Sequence, residues 1–120
     1  MEILDSRSID QLQELIGGNE GELHELIQLY LVESREIISN MDDALKTENL
    51  ELLRRSAHSL KSSSQDFGAI RLSQLNASLE SGCRDYWPES AGSLIRQITE
   101  TFMQVDKALN DYLSGRTNHA

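Results

Sequence analysis

Leu50 to Cys83 reads LELLRRSAHSLKSSSQDFGAIRLSQLNASLESGC, and the architecture can be built from this stretch. Leu50, Leu53, Ala57, Leu60 and Ser64 recur at steps of three and four residues, so they share one face of a helix. Leu72, Leu75, Leu79 and Cys83 repeat the pattern beyond Gly68. Two amphipathic helices separated by a glycine turn form an antiparallel hairpin with facing apolar stripes. Asn49 stands where an N-cap belongs.

The same period continues on both sides of the hairpin. Glu20 to Leu45 places Leu23, Ile27, Tyr30, Ser34, Ile37, Met41 and Ala44 along one seam. Before it, Ile9, Leu12, Leu15 and Ile16 predict a short helix, capped by Ser6 or Ser8 and stopped by Gly17. After the hairpin, Ile95, Ile98, Phe102, Val105, Leu109 and Tyr112 predict another long helix, with Pro88 in its first turn. The expected fold is all-α, an antiparallel four-helix bundle with a short additional N-terminal helix. The bundle is expected over residues 1–114, and residues 115–120 as a disordered polar tail.

Composition excludes several classes of protein. The chain has 120 residues, one cysteine and a formal net charge of -9. A lone Cys83 cannot form an internal disulfide and reads as a small buried hydrophobe. No apolar run reaches about 18 residues, so no membrane span is expected. The strongly acidic balance argues against nucleic-acid binding, which needs cations for phosphates. The acidic N-terminus does not resemble a signal peptide, and the whole fits a cytoplasmic protein.

Of three histidines, His24 and His119 fall on a polar helix face and in the tail. His58 differs. At 100° per residue it lies about 130° from the core direction of its helix, and so faces solvent. Arg54, Arg55, Lys61 and Ser62 are its neighbours one turn away. An imidazole that takes and gives up a phosphoryl group needs one open nitrogen and nearby cations. Glu80 lies twelve residues after Gly68 and His58 ten before it, so a hairpin turning there leaves them about 3 Å apart in level. A carboxylate there can accept from one ring nitrogen and leave the other as nucleophile. Exposed His, Arg and Lys on a helix flank are also common with no function at all.

Ala57 to Glu80, AHSLKSSSQDFGAIRLSQLNASLE, resembles the signature of histidine phosphotransfer (HPt) domains of bacterial phosphorelays. That pattern is Ala-His-x-Leu-Lys-Gly-Ser-Ser, then Gly-Ala, then a Leu-rich helix closing in Leu-Glu. Ala57, His58, Leu60, Lys61, Ser63, Ser64, Gly68, Ala69, Leu72, Leu75, Leu79 and Glu80 match it. The resemblance implies that His58 is the phosphoacceptor, that Lys61 is the cation beside the phosphoryl group, and that Glu80 orients the imidazole. It implies structural roles for Ser63, Ser64 and Gly68. Ser62 departs from the pattern, which often has glycine where the partner approaches.

The function this resemblance implies is that of a phosphorelay intermediate. Such a protein accepts a phosphoryl group from a receiver-domain aspartyl phosphate and passes it to another receiver domain. Expected partners are receiver domains of response regulators or hybrid histidine kinases, meeting Arg54, Ser62 and Gln65, with apolar contact from Leu12 or Ile16. No cofactor or metal is expected on this chain, and Mg²⁺ is expected on the receiver. No nucleotide-binding loop is present, so no ATP-dependent kinase activity is expected. The resemblance implies a phosphocarrier that is a monomer. Two rivals remain: a docking module or inhibitor that is never phosphorylated, and a terminal HPt domain cut from a hybrid sensor kinase. Met1 and the polar tail suit a free-standing protein and equally an expressed fragment.

Overall fold

Three Asx caps start three of the helices. In the computed structural model, which describes residues 3–117, Asp5 accepts from the Arg7 N–H at 3.0 Å and opens α1, Ser6–Leu15. The cap is therefore Asp5, ahead of either serine, because its carboxylate meets the free Arg7 N–H in the first turn. Asn19 accepts from the Glu22 N–H at 3.0 Å and opens α2, Glu20–Thr47. Asn49 accepts from the Leu52 N–H at 3.0 Å and opens α3, Leu50–Asp66. Each cap satisfies an N–H that the helix itself cannot. α4 spans Ile70–Gly82, and α5 spans Ala91–Thr117.

The helix ends follow the same chemistry. Gly17 and Gly18 both take positive φ, and their N–H groups return to the Glu14 and Gln13 carbonyls. This is the glycine-terminated end that the sequence predicted for α1. Pro88 lies outside α5. Its carbonyl accepts the Ala91 N–H at 3.2 Å, so it closes a turn ahead of the helix. α5 continues past Gly115 to Thr117, and 118–120, with His119, lie outside the described residues.

α2 packs on α3, α3 on α4, α4 on α5 and α5 on α2, which closes a four-helix ring. α1 lies against α2 and α3. The molecule measures 51 × 24 × 23 Å, its long axis set by α2 and α5. Leu53, Leu60, Leu72, Leu79, Ile98 and Leu109 are fully buried at its centre. Each such side chain contributes about 1.5–3 kcal/mol by leaving water. Cys83 is buried and free, and Trp87 packs partly buried against the core. On α2 the buried seam includes Leu31 and Ile38, while Ile37 is only half-buried. Among the described residues no helix is long and apolar enough to cross a membrane.

Two contacts fix the α3–α4 end. Tyr30 Oη lies 2.8 Å from Ser64 Oγ, and the Tyr30 ring stacks on Phe67 at 4.5 Å. Gly68 turns the chain at φ 74°, and its carbonyl accepts the Asp5 N–H at 2.8 Å. A Cβ on Gly68 would sit 2.5 Å from the Asp5 carbonyl oxygen. Glycine is thus required twice, for the left-handed backbone and for the close approach of the N-terminal segment.

Candidate functional site

The hairpin of α3 and α4 carries the site. Its register is held by Ser73 Oγ, which donates to the Lys61 carbonyl at 2.9 Å across the two helices. Ser63 turns inward on its own helix and donates to the Ser59 carbonyl at 3.1 Å. Ser64 holds the Tyr30 hydroxyl. With Gly68 at the turn, all three residues expected to be structural have an identifiable partner or steric reason.

With the register fixed, His58 and Glu80 meet. His58 Nδ1 is 2.6 Å from Glu80 Oε2, and the His58 side chain remains 60% exposed. Among the described residues Nε2 has no hydrogen-bond partner. Lys61 Nζ donates to the other carboxylate oxygen, Oε1, at 2.6 Å. Glu80 thus bridges an imidazole and an ammonium. The Lys61 hydrogen bond, and after it that of His58, holds the Glu80 carboxyl below its ordinary pKa against the opposing effect of burial. An ionised Glu80 accepts the Nδ1 proton, fixes the tautomer, and presents Nε2 outward as a lone-pair donor.

The surrounding cations are less available than their number suggests. Arg54 Nη2 donates to Glu51 Oε1 at 2.6 Å, and Arg55 lies 3.7 Å from the same carboxylate. Lys61 is held by Glu80. A groove beside His58 is lined by Arg54, Lys61, Ala77, Glu80, Ser81 and Arg84. Among the described residues no group of three or more His, Cys, Asp or Glu side chains is placed to hold a metal ion.

A family model described as the Hpt domain matches residues 25–113. The chain belongs to the Hpt domain family. The fold agrees with that of histidine-containing phosphotransfer protein B (HptB) from Pseudomonas aeruginosa PAO1. That crystal structure matches with a TM-score of 0.87 and 28% identity, over 93% of this chain and 95% of that one. A search of curated proteins gave no match. This Hpt domain has a histidine phosphotransfer role in a phosphorelay.

Around the motif of this Hpt domain, the structure brings His58, Lys61 and Glu80 together. Ser62 and Gln65 are exposed on the same helix. Leu12 and Ile16, expected to give apolar partner contact, are half-buried and pack in part against the core. The exposed apolar groups nearby are Leu15, at 83%, and Ile70, at 40%. Both line one groove with Leu12 and Gln65. The sequence placed Leu15 in the stripe of α1, but this short helix, set against α2 and α3, fully buries only Ile9 and leaves its last residue at the surface. Ile70 opens α4, where no completed turn assigned it a direction.

Proposed function

We propose that His58 Nε2 is the phosphoryl acceptor and donor of this Hpt domain. Its lone pair attacks the phosphorus of an aspartyl phosphate on a receiver domain. The N–P bond forms, the P–O bond breaks, and its electron pair returns to the aspartate carboxylate. The Nδ1 proton stays on the ring throughout and faces Glu80, whose negative charge offsets the charge of the phosphorylated imidazolium. The same steps in reverse deliver the phosphoryl group to the aspartate of a second receiver.

The observation that carries this reading is the exposed imidazole with Nδ1 held at 2.6 Å by Glu80. Receivers would dock on the flank formed by Arg54, Ser62 and Gln65, with Leu15 and Ile70 giving the apolar contact. Mg²⁺ would belong to the receiver's acidic pocket, and this chain would need no cofactor. It would act as a monomer in the cytoplasm, as a phosphocarrier without ATP-dependent kinase activity. Incubation with a labelled, phosphorylated receiver tests the reading. The native chain should take up acid-labile label, and His58→Gln should take up none. Label on the His58→Gln chain would refute the assignment.

A further inference from the structure

Ser62 stands on the outward side of the His58 ring. His58 and Lys61 both meet Glu80, so α4 lies on the Lys61 side of His58. At 100° per residue, Lys61 stands about 60° before His58 round α3, and Ser62 about 40° beyond it. Nδ1 faces Glu80, so Nε2, across the ring, points away from α4 and toward the Ser62 side. Ser62 is one turn further along the helix, about 6 Å. Side chains on a helix lean toward its N-terminus, and Ser62 therefore leans back over His58. Arg55 is on the same side but one turn earlier. It leans away from His58 and lies 3.7 Å from Glu51. The Ser62 side chain is exposed, and among the described residues its hydroxyl has no hydrogen-bond partner. Ser63 behaves differently and donates back to the Ser59 carbonyl at 3.1 Å. A phosphoryl group on Nε2 extends the ring by one P–N and one P–O bond, which brings an anionic oxygen toward the Ser62 hydroxyl.

We propose that the Ser62 hydroxyl donates a hydrogen bond to a phosphoryl oxygen of phosphorylated His58 and so prolongs the phosphohistidine. This rests on His58 as acceptor. An anionic acceptor makes such a bond stronger than one between neutral groups. Spontaneous loss of the group runs through a loose transition state. The N–P bond breaks and its electron pair returns to Nε2. A water oxygen bonds to phosphorus, its proton goes to solvent, and inorganic phosphate leaves. Negative charge drains from the phosphoryl oxygens as the N–P bond breaks. A donor on those oxygens therefore holds the phosphorylated state more strongly than the transition state. The serine proton stays on its own oxygen throughout. Ser62 thus favours storage of the phosphoryl group between one receiver and the next.

The lifetime of the phosphohistidine without any receiver tests this. With phosphoramidate, the Nε2–P bond forms, the donor's P–N bond breaks, and ammonia departs with the electron pair. The chain is then freed of donor and followed by ³¹P NMR. Ser62→Ala should lose its phosphohistidine signal about threefold faster than the native chain, a small effect because the site is open to water. Ser62→Thr keeps the hydroxyl and should stay within about twofold of the native lifetime. Ser62→Gly should match Ser62→Ala within about twofold. Circular dichroism should show the same helix content in the native chain and the alanine and threonine variants. A native lifetime in Ser62→Ala overturns the proposal, even where transfer to a receiver is impaired, since Ser62 would then serve docking alone. Fast loss confined to Ser62→Gly overturns it too, because bulk rather than the hydroxyl would then shield phosphorus. So does a Ser62→Thr chain as short-lived as Ser62→Ala. Phosphorus on any atom other than Nε2 of His58 is a different failure, that of the acceptor assignment itself.

Discussion

Glu80 is where two demands meet on one side chain. Its carboxyl is held below its ordinary pKa first by Lys61 and second by His58. A carboxyl whose folded pKa is depressed stabilises the fold above its unfolded value, and that contribution is lost as pH falls through the folded value. Carboxyl ¹³C NMR should therefore show Glu80 titrating at lower pH than an ordinary glutamate. Lys61→Met should move that titration upward, and by more than His58→Gln does. An unmoved titration in Lys61→Met would show that the ammonium does not hold the carboxylate in solution. The His58–Glu80 meeting was legible in the sequence, because a hairpin about a glycine fixes level and helical angle fixes direction. The commitment of Arg54 and Lys61 to acidic partners was not. Clustering on a helix shows which charges are near, and only rotamers show which are spent.

Among the helices and turns, the α3–α4 turn and the N-terminal segment depend on each other. Gly68 combines φ 74° with an Asp5 carbonyl that leaves no room for a Cβ. Gly68→Ala should cost more than the roughly 1–2 kcal/mol of a left-handed alanine alone, because the Asp5 segment must also move. Urea unfolding measures the cost, and amide exchange at Asp5 should accelerate as its bond to Gly68 opens. A loss under about 1 kcal/mol, with Asp5 still protected, would contradict this. The turn itself was legible from its glycine. Its contact with Asp5 was not, since no local pattern reports what packs on a turn from more than sixty residues away. The α2 seam shows a different limit. A strict seven-residue repeat drifts about 20° per heptad on a straight helix. That drift does not account for α2, where Leu31 and Ile38 are buried beside the seam while Met41 and Ala44 farther along stay on it. A helix packed on both α3 and α5 buries a stripe wider than one seam.

The stability of the bundle is linked to alkaline pH through Tyr30. Burial pushes its phenol up from 10.0 to about 12, with the Ser64 hydrogen bond acting in the opposite direction. A raised folded pKa means that the contribution is complete below the unfolded value. Stability is then lost as pH rises from about 10 through about 12. The shift corresponds to about 2–3 kcal/mol across that window. Chemical unfolding between pH 9 and 12 should show this slope, and Tyr30→Phe should flatten it. An equal slope in Tyr30→Phe would place the alkaline sensitivity elsewhere. The bundle as a unit was legible because each helix writes its own apolar period, and a closed ring of four buries all those stripes.

Everything proposed for the function of this molecule depends on which atom of which residue carries phosphorus. Phosphorylating the ¹⁵N-labelled protein and recording its imidazole spectra reads that atom directly. Phosphorus should appear on Nε2 of His58, with a proton retained on Nδ1 opposite Glu80. Phosphorus on Nδ1, on another side chain, or with the His58 ring signals unchanged would contradict the assignment.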